Sequence, residues 1–115
     1  MEKHIEVSML CQIYGKMLTD KQYEFINDYY NNDLSLSEIA ENNNITRQAV
    51  RDIIKKGENK LFEIEEKLGI MKKTFKQEEK IAIILSELTK IQKRSTDKQV
   101  AQILTHVKKE LNCLV

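Results

Sequence analysis

The 115-residue sequence contains no proline and no tryptophan, and it has only three glycines. Proline breaks helices and glycine weakens them, so their scarcity favours long helices over strands joined by tight turns. We find no glycine-rich phosphate loop and no nucleophile elbow. The sequence also lacks an N-terminal signal and an apolar run long enough to span a bilayer. We therefore expect a cytoplasmic protein without membrane insertion.

Cysteine and histidine are too few and too scattered to indicate a metal site or a disulfide bond. Cys11 and Cys113 lie at opposite ends of the sequence, which predicts two reduced thiols. His4 and His106 have no neighbouring cysteine or carboxylate at the spacing of metal ligands. No constellation of catalytic residues is recognisable. The sequence therefore predicts no metal, no cofactor and no enzymatic activity.

The formal net charge is only +1, from 19 basic and 18 acidic side chains. Proteins that bind many phosphates usually carry a larger positive charge, so any contact with nucleic acid must depend on a local patch. Residues 1–34 hold three lysines against six acidic groups, and residues 35–60 hold five basic groups against four. Residues 69–95 hold seven basic groups against three acidic ones, which makes this the most basic region.

Residues 35–61 have the pattern of a helix, a tight turn and a second helix, which is the helix-turn-helix motif. Ser35 and Glu38 form a capping box that starts the first helix at Leu36. The three asparagines at 42–44 tolerate the left-handed conformation of a sharp turn, and Thr46 caps the second helix. The positions expected to be buried in the motif are Ile39, Ala40, Ile45, Val50 and Ile53.

Apolar spacing predicts helices on both sides of the motif, about six in all. Two further capping boxes, Thr19 with Gln22 and Thr96 with Gln99, mark the starts of two of them. The predicted stripes are Ile5, Met9, Ile13 and Met17 in the first helix, widened by Leu10, Tyr14 and Leu18; Ile81, Ile84, Leu85, Leu88 and Ile91 in the fifth, widened by Ala82 and Ile83; and Val100, Ile103, Leu104, Val107 and Leu111 in the last. An aromatic cluster in the second helix, at Tyr23, Phe25, Tyr29 and Tyr30, is interpreted as core, with a stacking platform for bases as the alternative.

The second helix of the motif continues from Arg47 to Leu68 and ends at Gly69. Its apolar positions alternate in steps of four and three, a heptad seam formed by Val50, Ile54, Gly57, Leu61, Ile64 and Leu68. We expect the far part of this seam, Leu61, Ile64 and Leu68, to need a covering partner, either the C-terminal helices or a second copy of the chain. The adjacent Glu65 and Glu66 are expected to be solvated. We predict a homodimer, with a motif domain at 1–68 and a helical extension at 69–115.

The start of the second helix supplies the candidate residues for binding nucleic acid: Thr46, Arg47, Gln48, Arg51 and Lys55. Arginine can contact guanine bidentately and glutamine adenine, lysine mostly contacts phosphate, and the capped helix N-terminus suits a phosphate. We expect these side chains opposite Val50, Ile53 and Ile54. Ordinary solvated residues remain the alternative, because Asp52 places a negative charge on the same face.

Several segments together resemble region four of bacterial sigma factors, and more closely the YlxM-like family of small bacterial proteins. These segments are Leu18–Gln22, Tyr29–Tyr30, Asp33–Ala40 and Thr46–Val50, with the extension Lys60–Leu68. The resemblance implies an all-α fold with a three- or four-helix core like sigma region four, a long recognition helix and a C-terminal helical extension. Thr46 stands where the family usually has serine, and Gly57 stands where a larger residue is common.

The resemblance also implies a regulatory or accessory role in the signal recognition particle pathway. Its partner would be nucleic acid, either DNA or the particle's RNA, or the particle's GTPase. Binding would use Arg47, Arg51 and Lys55 together with the basic region Lys72–Lys80. Two alternatives remain open, namely a dimeric transcriptional regulator that binds duplex DNA and a protein-interaction module in which the motif is only a scaffold.

Overall fold

A computed structural model describes residues 2–114, which form six α-helices and one short 3₁₀ turn and contain no strand. The helices are α1 Lys3–Tyr14, α2 Asp20–Tyr30, α3 Leu36–Asn43, α4 Arg47–Leu68, α5 Ile70–Arg94 and α6 Lys98–Asn112, with the 3₁₀ turn at Gly15–Met17. The predicted all-α helix-turn-helix class is confirmed. None of the helices within residues 2–114 combines the length and apolar character needed to cross a lipid bilayer.

Side-chain caps start most of the helices, and two of the three predicted capping boxes are present. The pairs Thr19–Gln22 and Ser35–Glu38 each form both reciprocal hydrogen bonds. The third box, Thr96 with Gln99, is wrong, because Asp97 is the N-cap. Its carboxylate accepts a hydrogen bond from the Gln99 N–H at 2.8 Å, and aspartate is among the strongest N-cap residues.

The turn between α3 and α4 depends on one asparagine. Asn44 adopts the left-handed conformation, with φ 54° and ψ 41°, and its N–H donates to the carbonyls of Ala40 and Glu41. The Thr46 hydroxyl then accepts the Ala49 N–H at 3.1 Å and caps α4. The predicted turn and cap are therefore present. Ile45, expected to fill the corner, is 37% exposed, so it closes the turn only in part.

The chain divides at Met71 into two compact units. In the first unit α1, α2 and α3 all pack against α4. Its fully buried apolar side chains are Val7, Leu10, Tyr14, Phe25, Ile26, Ile39, Val50 and Leu61. The division after Leu68 remains a prediction about domains, and its outermost positions, Met1 and Val115, lie outside the described residues.

The buried face of α1 agrees with the predicted one only in part. Val7, Leu10, Cys11 and Tyr14 face the core, so the predicted Leu10 and Tyr14 are buried, whereas Ile5, Met9, Ile13 and Met17 are exposed or only half-buried. Each step of four residues overshoots a full helical turn by about 40°, so three such steps drift by about 120°. Steps of three and four together keep the observed set on one face.

Gly57 allows α2 and α4 to approach closely. A Cβ atom at position 57 would lie 2.6 Å from Ile26 Cδ1 and 3.2 Å from Gln22 Cβ, so a larger side chain does not fit without displacement. Gly69 ends α4 with φ 64°, as its sequence position indicates.

The seam beyond Gly57 is partly filled within the chain. Leu61 is fully buried in the first unit, which corrects the expectation that it needs the C-terminal helices or a second copy to cover it. Ile64 is half-buried and Leu68 is 48% exposed. The only seam surface that a partner could cover in the first unit is therefore at the end of α4.

Glu65 is half-buried and hydrogen-bonded within the protein, which corrects the expectation that it is simply solvated. Its Oε1 atom accepts a hydrogen bond from the Tyr14 hydroxyl at 2.7 Å and another from the Met71 N–H at 3.0 Å. The residue therefore has a structural role in connecting α1 with the start of α5.

The second unit contains α6 and most of α5, and the two helices share a polar contact. Gln92 donates to the Ala101 carbonyl at 3.4 Å and to the Thr105 hydroxyl at 3.0 Å, while Lys108 donates to Gln92. Among residues 72–114 only Leu104 is buried. Several predicted stripe residues are exposed instead, namely Ile84, Ile91 and Ile103, and Ile83 is exposed with them.

Candidate nucleic-acid interface

The candidate residues at the start of α4 are all exposed to solvent. They are Thr46, Arg47, Gln48, Arg51 and Lys55. The Gln48 side chain donates its amide hydrogen to Asp52 Oδ1 at 3.0 Å. The Gln48 amide, which was expected to contact adenine, is therefore bonded to Asp52. The Asp52 carboxylate also adds a negative charge beside this amide.

Arg51 and Lys55 line a groove that the first unit forms beside the recognition helix. The groove has a volume of about 290 Å³ and is lined by Lys3, Tyr29, Tyr30, Leu36, Arg51, Ile54, Lys55 and Glu58. Since Ile54 lines the same groove, Arg51 and Lys55 flank the apolar face of α4. Their expected position opposite Ile54 is therefore corrected.

A buried carboxylate lies in the groove. Glu58 is 8% exposed, and it accepts a hydrogen bond from the Tyr30 hydroxyl. Its other oxygen lies 3.4 Å from Lys3 Nζ. Burial, followed by the hydrogen bond to Glu58, raises the pKa of Tyr30 well above its usual value. Tyr30 therefore stays protonated, and the carboxylate has two partners despite its burial.

The two α4 cations of the groove have no acidic partner among the residues that the structure describes. Within residues 2–114, no carboxylate forms an ion pair with Arg51 or Lys55. Lys3, by contrast, is paired with Glu58. Unpaired cations beside a helix-turn-helix are available to a negatively charged ligand such as a phosphate.

One protein family matches this sequence along almost the whole chain. Residues 1–111 match the profile of the UPF0122 family, which is described as a helix-turn-helix protein family, YlxM / p13 like. The chain belongs to the UPF0122 family. The predicted resemblance to YlxM-like proteins is thereby confirmed.

Curated UPF0122 relatives are similar over their full or partial length. A UPF0122 protein of Acetivibrio thermocellus is 40% identical over 115 residues, covering 100% of this chain and 98% of the relative. One of Clostridium acetobutylicum is 38% identical over 112 residues, covering 97% of each chain. One of Desulforamulus reducens is 49% identical over 80 residues, covering 70% of this chain and 68% of the relative.

In this member of the UPF0122 family, sequence reasoning missed two groove residues, Lys3 and Glu58. They are 55 positions apart, and no local pattern connects them. The one signal in the sequence was Glu58 itself. It is a charged residue directly after Gly57, and α4 buries apolar residues one turn before it and one turn after it. A charge at such a position indicates a buried partner.

Proposed function

We propose that the protein is a cytoplasmic regulatory or accessory component of the signal recognition particle pathway that binds nucleic acid through its helix-turn-helix. The observation that carries the binding is the pair Arg51 and Lys55, exposed and unpaired on the recognition helix. The pathway comes from the resemblance to YlxM-like proteins. The proposed binding residues are Thr46, Arg47, Gln48, Arg51 and Lys55 in the first unit, and the basic region Lys72–Lys80 in the second unit is a separate contact.

We favour the particle or its RNA over an operator in duplex DNA. A recognition helix that reads adenine presents a free amide to the base edge, whereas here the Gln48 amide is bonded to Asp52. The displaced positive charge of residues 69–95 also favours a ligand that extends beyond one recognition helix.

The test is fluorescence anisotropy at near-physiological salt, with labelled signal recognition particle and a mixed-sequence DNA duplex as separate ligands. We expect preference for the particle, and weaker binding when Arg47 and Arg51 are reversed to glutamate. Lys56→Glu also reverses one positive charge, but on an exposed residue outside the groove. It is therefore the matched control for a single arginine reversal. Intact binding after both arginine reversals would refute the interface, and binding to neither ligand would refute the function.

A dimeric transcriptional regulator is the second candidate, favoured by the half-buried Ile64 and the exposed Leu68 at the end of α4. A second copy would cover these side chains and place two recognition helices on one duplex. Light scattering that gives a monomer mass across micromolar concentrations would dispose of the dimer. A selection from random duplexes without enrichment would dispose of the regulator.

A protein-interaction module is the third candidate. It is favoured by the exposed isoleucines of the second unit, Ile83, Ile84, Ile91 and Ile103. In this case the motif acts as a scaffold, and the protein has no salt-dependent affinity for any nucleic acid.

A further inference from the structure

We propose that the groove beside the recognition helix holds one unpaired nucleotide of a single-stranded nucleic acid. This inference rests on the proposed binding of nucleic acid and specifies the ligand. The groove volume of about 290 Å³ lies just below the usual range for small-ligand pockets, about 300–1,000 Å³. A single nucleotide suits this groove because it joins one anionic group, which the cations can bind, to one planar ring, which an aromatic side chain can stack on.

The cations define the phosphate position. Arg51 and Lys55 are four residues apart on α4, so their side chains lie next to each other on one helix face. A guanidinium can hold a phosphate with two parallel hydrogen bonds, and an ammonium adds a point charge. The Lys3 side chain is mostly exposed, and its ion pair with Glu58 is 3.4 Å long. Because the Glu58 side chain is only 10% exposed, this ion pair holds Lys3, and the phosphate is bound by Arg51 and Lys55.

The buried carboxylate of Glu58 determines which end of the nucleotide enters the groove. Glu58 is buried, and its negative charge repels a phosphate from the inner part of the groove. Arg51 and Lys55, which are exposed, attract the phosphate toward the mouth. The sugar and base therefore extend inward, where Ile54 contributes an apolar surface.

An aromatic ring is available for the base. Tyr29 lines the groove and packs edge-to-face on Tyr30, with ring centroids 5.0 Å apart and planes at 88°. Tyr30 is itself fixed by its hydrogen bond to Glu58 and by an edge contact with His4 at 4.8 Å. The Tyr29 ring is thus held by a rigid support, and bases stack on such rings with little sequence preference.

Stacking distinguishes an unpaired nucleotide from a duplex. In a duplex the faces of the bases are already covered by their neighbours, so only the cations of the groove would contribute. An unpaired base uses both the cations and Tyr29. Tyr29 is therefore the residue whose loss separates the two ligands.

The experiment measures anisotropy of a labelled uridine decamer, a thymidine decamer and a 20-base-pair RNA duplex at one salt concentration. The variants are Tyr29→Leu and Lys55→Ala. Their matched controls are Tyr23→Leu, at an exposed tyrosine of the same helix, and Lys56→Ala, at the adjacent exposed lysine. Circular dichroism melting checks that Tyr29→Leu is folded, and Lys55→Ala changes only an exposed side chain.

We expect tighter binding of a decamer than of the duplex, and at least about fivefold weaker decamer binding for Tyr29→Leu, in line with the loss of one stacked base. Lys55→Ala should weaken binding of every ligand, and both controls should stay within about twofold of the wild type. Preference for the uridine decamer assigns the nucleotide to RNA, and preference for the thymidine decamer assigns it to DNA.

Two results would overturn the inference, and they differ in what they say about the proposed function. If Tyr29→Leu binds the decamers as the wild type does while Lys55→Ala is weakened, the groove contacts only the backbone and nucleic-acid binding stands. If the wild type binds the duplex more tightly than either decamer, the unpaired nucleotide is likewise refuted and binding again stands. If no nucleic acid is bound, both proposals fail.

Discussion

The hydroxyl of Tyr14 in α1 donates a hydrogen bond of 2.7 Å to the carboxylate of Glu65 in α4. The same carboxylate oxygen accepts the Met71 N–H, and the Tyr14 oxygen accepts the Ile70 N–H at 3.1 Å. Two backbone groups in the first turn of α5, which have no partner inside their own helix, are thereby satisfied. The pair joins the first helix to the end of the long recognition helix.

We predict that Glu65→Ala lowers the free energy of unfolding by about 2 kcal/mol, since a hydroxyl and a backbone N–H both lose their acceptor. Urea denaturation measures the loss. Glu65→Gln keeps an oxygen acceptor, so it should be less destabilising. An unchanged free energy of unfolding in Glu65→Ala would mean that the carboxylate's hydrogen bonds contribute nothing.

Stability should fall at alkaline pH. Burial, together with the hydrogen bonds to Glu65 and Glu58, raises the pKa of Tyr14 and of Tyr30 above the usual value of about 10. Between the unfolded and the folded pKa the unfolded chain binds fewer protons, so stability is full below about pH 10 and is lost as pH rises through the folded pKa. Thermal melts from pH 8 to 11.5 measure this effect. Tyr30→Phe should flatten the decline, and an unchanged decline would contradict the assignment.

Gly57→Ala should destabilise the protein although alanine is the better helix former. The gain in helix propensity is about 1 kcal/mol, whereas overpacking a tight core contact usually costs about 1–3 kcal/mol. The added Cβ meets Ile26 Cδ1 at 2.6 Å, and Ile26→Val removes that atom. A double-mutant cycle by urea denaturation should therefore show that Gly57→Ala is better tolerated in the valine background. Equal effects in both backgrounds would show that another contact is limiting.

Asn44→Ala should lower the free energy of unfolding by about 1 kcal/mol, because its φ of 54° is unfavourable for alanine. Asn44→Gly should be neutral or stabilising. The control is Asn42→Ala, which lies inside α3 and should stabilise slightly through helix propensity. If Asn44→Gly were as destabilised as Asn44→Ala, a contact of the asparagine side chain, and not the backbone conformation, would determine the result.

Local signals predicted most of the fold. The Ser35–Glu38 box, the left-handed asparagine and the Thr46 cap each depend on residues a few positions apart, and the sequence contains all of that information. Thr96 failed for a local reason, since Asp97 beside it is the stronger N-cap residue and the two compete for the same helix start.

The candidate site was harder to predict because its members are distant in the sequence. Arg51 and Lys55 were found from their place in the motif, but Lys3 joins them only after α1 has packed against α4. Glu65 was misjudged for the same reason, since its hydroxyl donor is Tyr14, 51 residues away. Whether the exposed residues bind nucleic acid stays a prediction.

The contact between Gly57 and Ile26 also constrains how relatives of this chain can diverge. A larger residue at position 57 needs a smaller one at position 26 or a wider spacing of the two helices. The two positions should therefore change together in related sequences, with volume lost at one wherever volume is gained at the other. In a related sequence that replaces the glycine alone, the steric strain between the two helices remains until position 26 also changes.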